Sequence, residues 1–316
     1  MFEPHFYDEM MGFRPNRGCH KALRKLNVMI EKNATNFIPD ADVKGFFDHI
    51  NHEWAVKFIE AKIKDPNILR LVRKMLKAGI IEDFQCEESE EESGQGSVCS
   101  PVIANIYMRY VLVWWFKEKT QPNLKGFSGL VVYADDFVCC FQYKAEAEQF
   151  YKRLSGRMGK FGLEESKRRL IEFGRYAEEN RKRQGKGKSE TFTFLGFTHY
   201  CSHSKSGYFR GKRKTSKKKF AKKCKEVHRP ISSIRNWTLR LIIAKLNQIL
   251  VGYYHYYGIT DNFRAINSFC YRIRCSLFYW LNRRSQKISD TCNAFNDMLK
   301  VYPLTKPKIY VSTYGT

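Results

Sequence analysis

The chain has 316 residues, 43% of them apolar, enough for a sizeable core and two or three domains. Its 56 Lys and Arg against 32 Asp and Glu leave a net charge of +24, which calls for a polyanionic partner, most simply nucleic acid. A membrane is the lesser reading, because the chain has no long uninterrupted apolar run and no lipid-anchor pattern, and Met1-Phe2-Glu3-Pro4-His5 does not read as a signal peptide. The ten cysteines are scattered without a Cys-x-x-Cys pair, as expected of reduced thiols in a cytosolic protein.

In chain order, Gly12 to His20 is a polar loop marked by Gly and Pro. Its Arg14 and Arg17 are suited either to a phosphate or to solvent. A helix is predicted over 21–32, with Ala22, Leu23, Leu26, Met29 and Ile30 on one face. Asn36 to Ile50 reads as a strand running into a helix start and supplies Asp40, Asp42 and Asp48. Asp42, at the strand's end and followed by Phe46-Phe47, is the acid best placed to face a site. Asp48 to His52 is expected to begin the next helix, which continues to about Lys77 with a break near Asp65-Pro66. An acidic stretch, 86–92, leads to Ser93-Gly94-Gln95-Gly96, a loop where backbone can approach a ligand closely. A helix with Pro101 in its first turn is expected to run to about Lys119.

Gly129 to Phe141, G-L-V-V-Y-A-D-D-F-V-C-C-F, reads as two buried strands joined by a tight turn that carries Asp135 and Asp136. Adjacent carboxylates on a buried hairpin resist joint ionisation unless a cation neutralises them. A helix over 144–161 follows, then strands over 162–173 and 191–200. From Lys205 to Arg229 twelve residues are Lys or Arg, with Phe220 and Val227 recurring as one apolar stripe. The remainder, from about Ser232, is helical and aromatic-rich. His199-x-Cys201-x-His203 shares one strand face by alternation, but its spacing and three-ligand count do not suit structural zinc.

Asp42 with Asp135 and Asp136 forms an oxygen-only donor set that suits two Mg²⁺ ions, or Mn²⁺, for phosphoryl transfer. With the basic surround, that combination means a polynucleotide polymerase or a two-metal nuclease.

Tyr133-Ala134-Asp135-Asp136 resembles the signature of reverse transcriptases. Gly12-Phe13-Arg14-Pro15, Asp42-Val43-Lys44-Gly45-Phe46-Phe47-Asp48, Gln95-Gly96, Ser100-Pro101-x-x-Ala104-Asn105, Gly162-Leu163 with Lys167, and Phe194-Leu195-Gly196-Phe197 stand in that family's order. Leu246-Asn247-x-x-Leu250-x-Gly252-Tyr253-Tyr254-x-Tyr256-Tyr257-Gly258 is similar to the thumb of bacterial group II intron-encoded reverse transcriptases and maturases. The resemblance covers nearly the whole chain. It implies an α/β (α+β) fold: a right-hand polymerase palm with partial fingers, then an all-helical thumb. The expected domains are a fingers remnant over 1–35, the palm over 36–204 and a basic maturase domain over 205–316.

The resemblance further implies that Asp42, Asp135 and Asp136 are catalytic and hold the metals together with Val43. Phe46 would gate the sugar, with Phe47 the alternative, and Gln95, Gly96 and Lys167 would meet the nucleotide. Arg14, Arg17, Lys217, Lys218, Lys219, Lys222 and Lys223 are the expected RNA contacts. The implied partners are group II intron RNA as template, a DNA primer or target and dNTPs, with no membrane, in a bacterial cytoplasm. The chain is expected to lack the upstream fingers motifs and a C-terminal endonuclease, and therefore to polymerise poorly and to self-associate. The alternative is an RNA-binding maturase fragment without polymerase activity.

Overall fold

A computed structural model describes residues 2–77, 100–165, 169–284 and 291–314, apart from the side chain of Asp48. The chain divides into two compact units, Met1–Leu195 with Tyr200–Gly211, and Gly196–His199 with Lys212–Thr316.

The first unit begins with helix α1 (Cys19–Glu31), whose predicted face of Ala22, Leu23, Leu26, Met29 and Ile30 is buried. Strands β1 (Phe37–Asp40) and β2 (Val43–Lys44) flank Asp42. A short 3-10 turn, Phe47–His49, comes next, and the helix begins at His52, within the expected Asp48 to His52 stretch. Helix α2 (His52–Glu60) starts where Asn51 can cap it, accepting a hydrogen bond from Trp54 N at 3.1 Å. Helix α3 (Pro66–Lys77) opens on Pro66, whose missing N–H costs nothing in a first turn. Helix α4 (Ser100–Met108) continues through π-helical stretches at Arg109–Val113 and Phe116–Thr120. The rod ends at Thr120, beside the predicted end at about Lys119.

Strands β3 (Ser128–Tyr133) and β4 (Asp136–Phe141) form the expected antiparallel hairpin, in register from Ser128 opposite Phe141 to Tyr133 opposite Asp136. Helix α5 (Lys144–Gly159), β5 (Glu164–Glu165) and β6 (Arg169–Glu172) follow. The main sheet has the order β3-β4-β1-β6, and β2 pairs with β5 separately. Both faces of the hairpin are covered. Met29 of α1 lies against Gly129, while Phe141 meets Phe116 and Phe150 at 6.3 and 5.1 Å between ring centroids. That double burial explains why these strands read as continuous apolar runs rather than as alternation.

Three further elements are α6 (Ala177–Arg183), β7 (Thr191–Phe194) and β8 (Phe197–His203). With β9 (Phe209–Thr215) the last two make a sheet ordered β7-β8-β9. The division between units falls within β8 and β9. Along β8, His199 is buried while Cys201 is half-buried and His203 exposed.

The second unit is helical: α7 (Lys217–Ile234), α8 (Leu239–Tyr257), α9 (Phe263–Leu281) and α10 (Cys292–Val301). Val227 and Ile231 of α7 join Ile242, Leu246 and Leu250 of α8 and Phe269, Ile273 and Leu277 of α9 in one core. Asn247 takes the C-terminal segment in both directions. Its Nδ2 donates to Pro303 O at 3.1 Å, and its Oδ1 accepts from Thr305 N at 2.8 Å. Asn262, also buried, accepts from Thr215 N and donates to Thr215 Oγ1, each at 2.8 Å. No described helix is long and apolar enough to cross a membrane.

Candidate active site

The hairpin places its two acids through an uncommon backbone. Ala134 takes φ +55°, a left-handed conformation that costs a residue with a Cβ. With Tyr133 paired to Asp136, Ala134 and Asp135 alone make the turn, so Asp135 rides at its tip.

The tip is backed by the N-terminal segment. Met11 N donates to Val132 O at 2.8 Å, Val132 N donates to Glu9 O at 2.9 Å, and Met10 bridges Val132 in parallel. Gly12 follows so closely that a Cβ built there falls 2.6 Å from Ala134 N. The buried Asn105 amide fixes this approach by donating to Gly12 O at 2.8 Å. Phe13, at φ +50°, sets its ring 5.8 Å from that of Tyr133. Gly12→Ala is therefore expected to force backbone from backbone. It should destabilise the fold by about 1–3 kcal/mol, read as a lower urea midpoint, together with weakened activity. An unchanged midpoint would show that this loop does not press on the hairpin.

Asp42, between β1 and β2, reaches the same place. The Asp135 carboxyl is held above the usual carboxylate range, chiefly by burial and further by the negative charge of Asp42, against the effect of its own backbone N–H. A carboxylate whose charge is opposed both by burial and by a neighbouring acid fits a divalent cation, which would relieve both costs. Asp136 begins β4 and is half-buried. Among the described residues no three His, Cys, Asp or Glu side chains stand as a ready metal-ligand group. The charge of Asp42 thus acts on Asp135. Val43 is buried and its strand pairs with Glu165 of β5.

The two aromatic candidates part company. Phe46 is 2% exposed, edge-on to Tyr107 at 6.1 Å and to Phe47 at 5.2 Å, in the apolar core. Phe47 is partly exposed. The ring of Phe46 packs against Tyr107 and offers little surface to a ligand, whereas Phe47 keeps part of its own. Gln95, Gly96 and Lys167 lie outside the described residues.

Arg14 also differs from the expectation. Its guanidinium is 8% exposed, grips Glu3 at 2.8 Å, and donates to Tyr7 O and Met10 O at 2.6 and 2.9 Å. It ties the N-terminal segment together and leaves little surface for a phosphate. Arg17 pairs with the exposed Asp8 at 2.6 Å and keeps part of its surface. Lys217, Lys218, Lys219 and Lys222 are exposed, while Lys223 is half-buried and pairs with Glu226 at 3.4 Å. Phe220, Cys224, Val227 and Ile231 of the same helix face the core, as the stripe predicts.

A half-buried carboxylate turn backed by Gly12, on a sheet ordered β3-β4-β1-β6, is the setting in which comparison with known proteins becomes informative. The family model "Reverse transcriptase (RNA-dependent DNA polymerase)" matches residues 1–199, and "Group II intron, maturase-specific domain" matches 217–295. The chain belongs to the reverse transcriptase family and carries a group II intron maturase domain. Among its relatives is the group II intron-encoded protein LtrA of Lactococcus lactis subsp. cremoris. It is 32% identical over 183 residues, which span 58% of this chain and 28% of LtrA. Another is an uncharacterized 91 kDa protein in the cob intron of Schizosaccharomyces pombe, 35% identical over 126 residues, 40% of this chain and 15% of that protein. The aligned stretches thus span under a third of each relative's length. An apo telomerase structure from Candida tropicalis aligns over 90% of this chain and 48% of its own at TM-score 0.41 and 15% identity, too distant to add to the assignment. Reverse transcriptases as a family use divalent metal ions and act on nucleic acid.

Proposed function

We propose that this protein is an RNA-directed DNA polymerase of a group II intron that also assists splicing of the intron RNA. The observation that carries the reading is Asp135 at the tip of the hairpin, its charge opposed by burial and by Asp42, in a chain of the reverse transcriptase family that continues into a maturase domain. Asp42, Asp135 and Asp136 would hold Mg²⁺, with Mn²⁺ as a substitute, and the Val43 carbonyl adds a neutral oxygen. When bound, such ions neutralise the transferring phosphoryl group and activate the attacking hydroxyl. Gly12 and Asn105 hold the hairpin still, so Asp135 need not reorganise during reaction. Phe47 excludes a 2′-hydroxyl by contact. Arg17 and the exposed lysines of α7 bind RNA phosphates. The partners are intron RNA, a DNA primer or target and dNTPs, and the working compartment is the bacterial cytoplasm.

The test is primer extension on an RNA template with dNTPs and Mg²⁺, beside a splicing assay of intron RNA. Template-dependent extension supports the whole reading. Splicing assistance without extension would leave a maturase, a reading that the exposed basic start of α7 favours. Shortening of the primer instead would indicate a nuclease.

The aromatic pair offers a second check. Phe47→Ala is expected to raise ribonucleotide over deoxyribonucleotide incorporation. Phe46→Ala should instead cost about 3–5 kcal/mol of stability, as large core truncations do. Comparing the two by incorporation ratio and thermal melting separates gate from core. A selective Phe46 variant that melts normally would reverse the assignment.

A further inference from the structure

Helices α7 and α9 run side by side in the same direction. Phe220 meets Phe269 with ring centroids 6.3 Å apart, the Arg272 charge reaches the Cys224 thiol, and His228 Nδ1 lies 3.0 Å from Ser276 Oγ. Between them lies a groove of about 440 Å³. Its polar lining is Lys225, His228 and Arg229 from α7 with Arg272 and Ser276 from α9, and among the described residues no acid lines it. Val227 and Ile273 form the floor and are buried in the core, so the groove is anchored to a fixed framework.

Three cations converge on this groove. Lys225, Arg229 and Arg272 are exposed, and none of the three side chains forms an ion pair among the described residues. Like charges so placed repel one another, and nothing within the lining offsets them. Lys218, Lys222, Lys225 and Arg229 also recur at four-, three- and four-residue intervals, which puts them on a single face of α7. The stripe leads from the helix start to the groove. Just past the end of α9, the Arg283 guanidinium covers Tyr279 at 3.5 Å.

We propose that the α7–α9 groove is a phosphodiester-binding track. A single strand of RNA enters along Lys218 and Lys222 and passes between Lys225, Arg229 and Arg272. The inference rests on the reading that this unit binds RNA, and adds a second helix to the contact. Lysines on α7 alone would give a flat electrostatic surface. The contribution of Arg272 makes a channel that holds the strand from both sides.

The test is binding of a labelled 20-nucleotide single-stranded RNA of mixed sequence to the full chain, without primer or dNTPs, across a range of salt. Arg229→Gln with Arg272→Gln is expected to reduce the slope of log affinity against log salt by about 1.4, at roughly 0.7 per phosphate contact on single strands. Arg229→Lys with Arg272→Lys should restore most of it. Lys152→Gln with Arg153→Gln, an equal loss of exposed charge on α5, should leave the slope unchanged. A groove variant with the parental slope, or an equal fall in the α5 control, would overturn the proposal. Because the assay contains no polymerisation step, failure of the polymerase reading shows separately, in primer extension by the parent chain.

Discussion

Asp135→Asn, and separately Asp42→Asn, is expected to reduce DNA synthesis on the order of a thousandfold or more while RNA affinity stays near the parental value. Removal of even a single neutral donor to developing charge costs about 10²–10³ in rate, and a metal ligand contributes more directly. The basic helix α7 belongs to the other unit and is untouched by either change. Asp135→Asn carries a second signature. It removes a charge that burial and Asp42 both oppose, so the metal-free variant should melt above the parent. Near-normal synthesis by either variant, measured beside an active parent protein, would remove these carboxylates from the chemistry. An Asp135→Asn variant that melts lower would mean the carboxylate makes a stabilising contact instead.

Neutralising Lys217, Lys218, Lys219 and Lys222 together is expected to flatten the salt dependence of RNA binding by about 3 log units, at 0.7–0.9 for each phosphate contact. These residues occupy the first turns of an 18-residue helix, where the peptide dipoles already present positive ends. Ser216 Oγ accepts from Lys219 N at 3.4 Å, so the cap restrains the turn that carries them. Lysines at a helix start cost stability unless an anion is there to meet them, so the same variant should raise the melting temperature of the free protein. Adding Lys223→Gln should change the slope little, because Glu226 holds that ammonium at 3.4 Å. A slope unaltered by the quadruple change would place these lysines against water alone.

Helix periodicity and the hairpin were legible because burial wrote them in apolar residues. Leu23, Leu26 and Ile30 of α1 repeat at helical spacing, and the strands beside Asp135 are covered on both faces. Strand β9 was not legible. Its inward positions are Gly211, Arg213 and Thr215, so a buried strand reads as part of a basic run. Arg213 is 1% exposed, with its guanidinium 5.7 Å from the ring of Tyr314. Helix α6 was missed because Ala177 is the one residue it buries, too little for a period. In the site, Asp42 and Asp135 stood out as acids among apolar neighbours. Phe46 and Phe47 did not separate, since adjacent rings carry no sign of which one Tyr107 will cover. Arg14 misled for a related reason. Its partners are Glu3, eleven residues back, and two carbonyls, and a polar loop does not announce that it will fold onto itself.

The strand-like contact of Met10 with Val132 bears on how the molecule is made. The two residues lie about 120 positions apart, so at synthesis rates of roughly 5–20 residues per second the segment around Met10 waits some 6–25 seconds for its partner. Until β3 leaves the ribosome, the segment around Met10 has no hairpin to back and Arg14 closes only a local loop. Strand β1 waits longer still, since its neighbour β6 is made after β4. The palm therefore has no stable half. It sets as a unit late in translation, and a chaperone that shields residues 9–13 of the nascent chain would speed maturation more than one acting on the helices that follow.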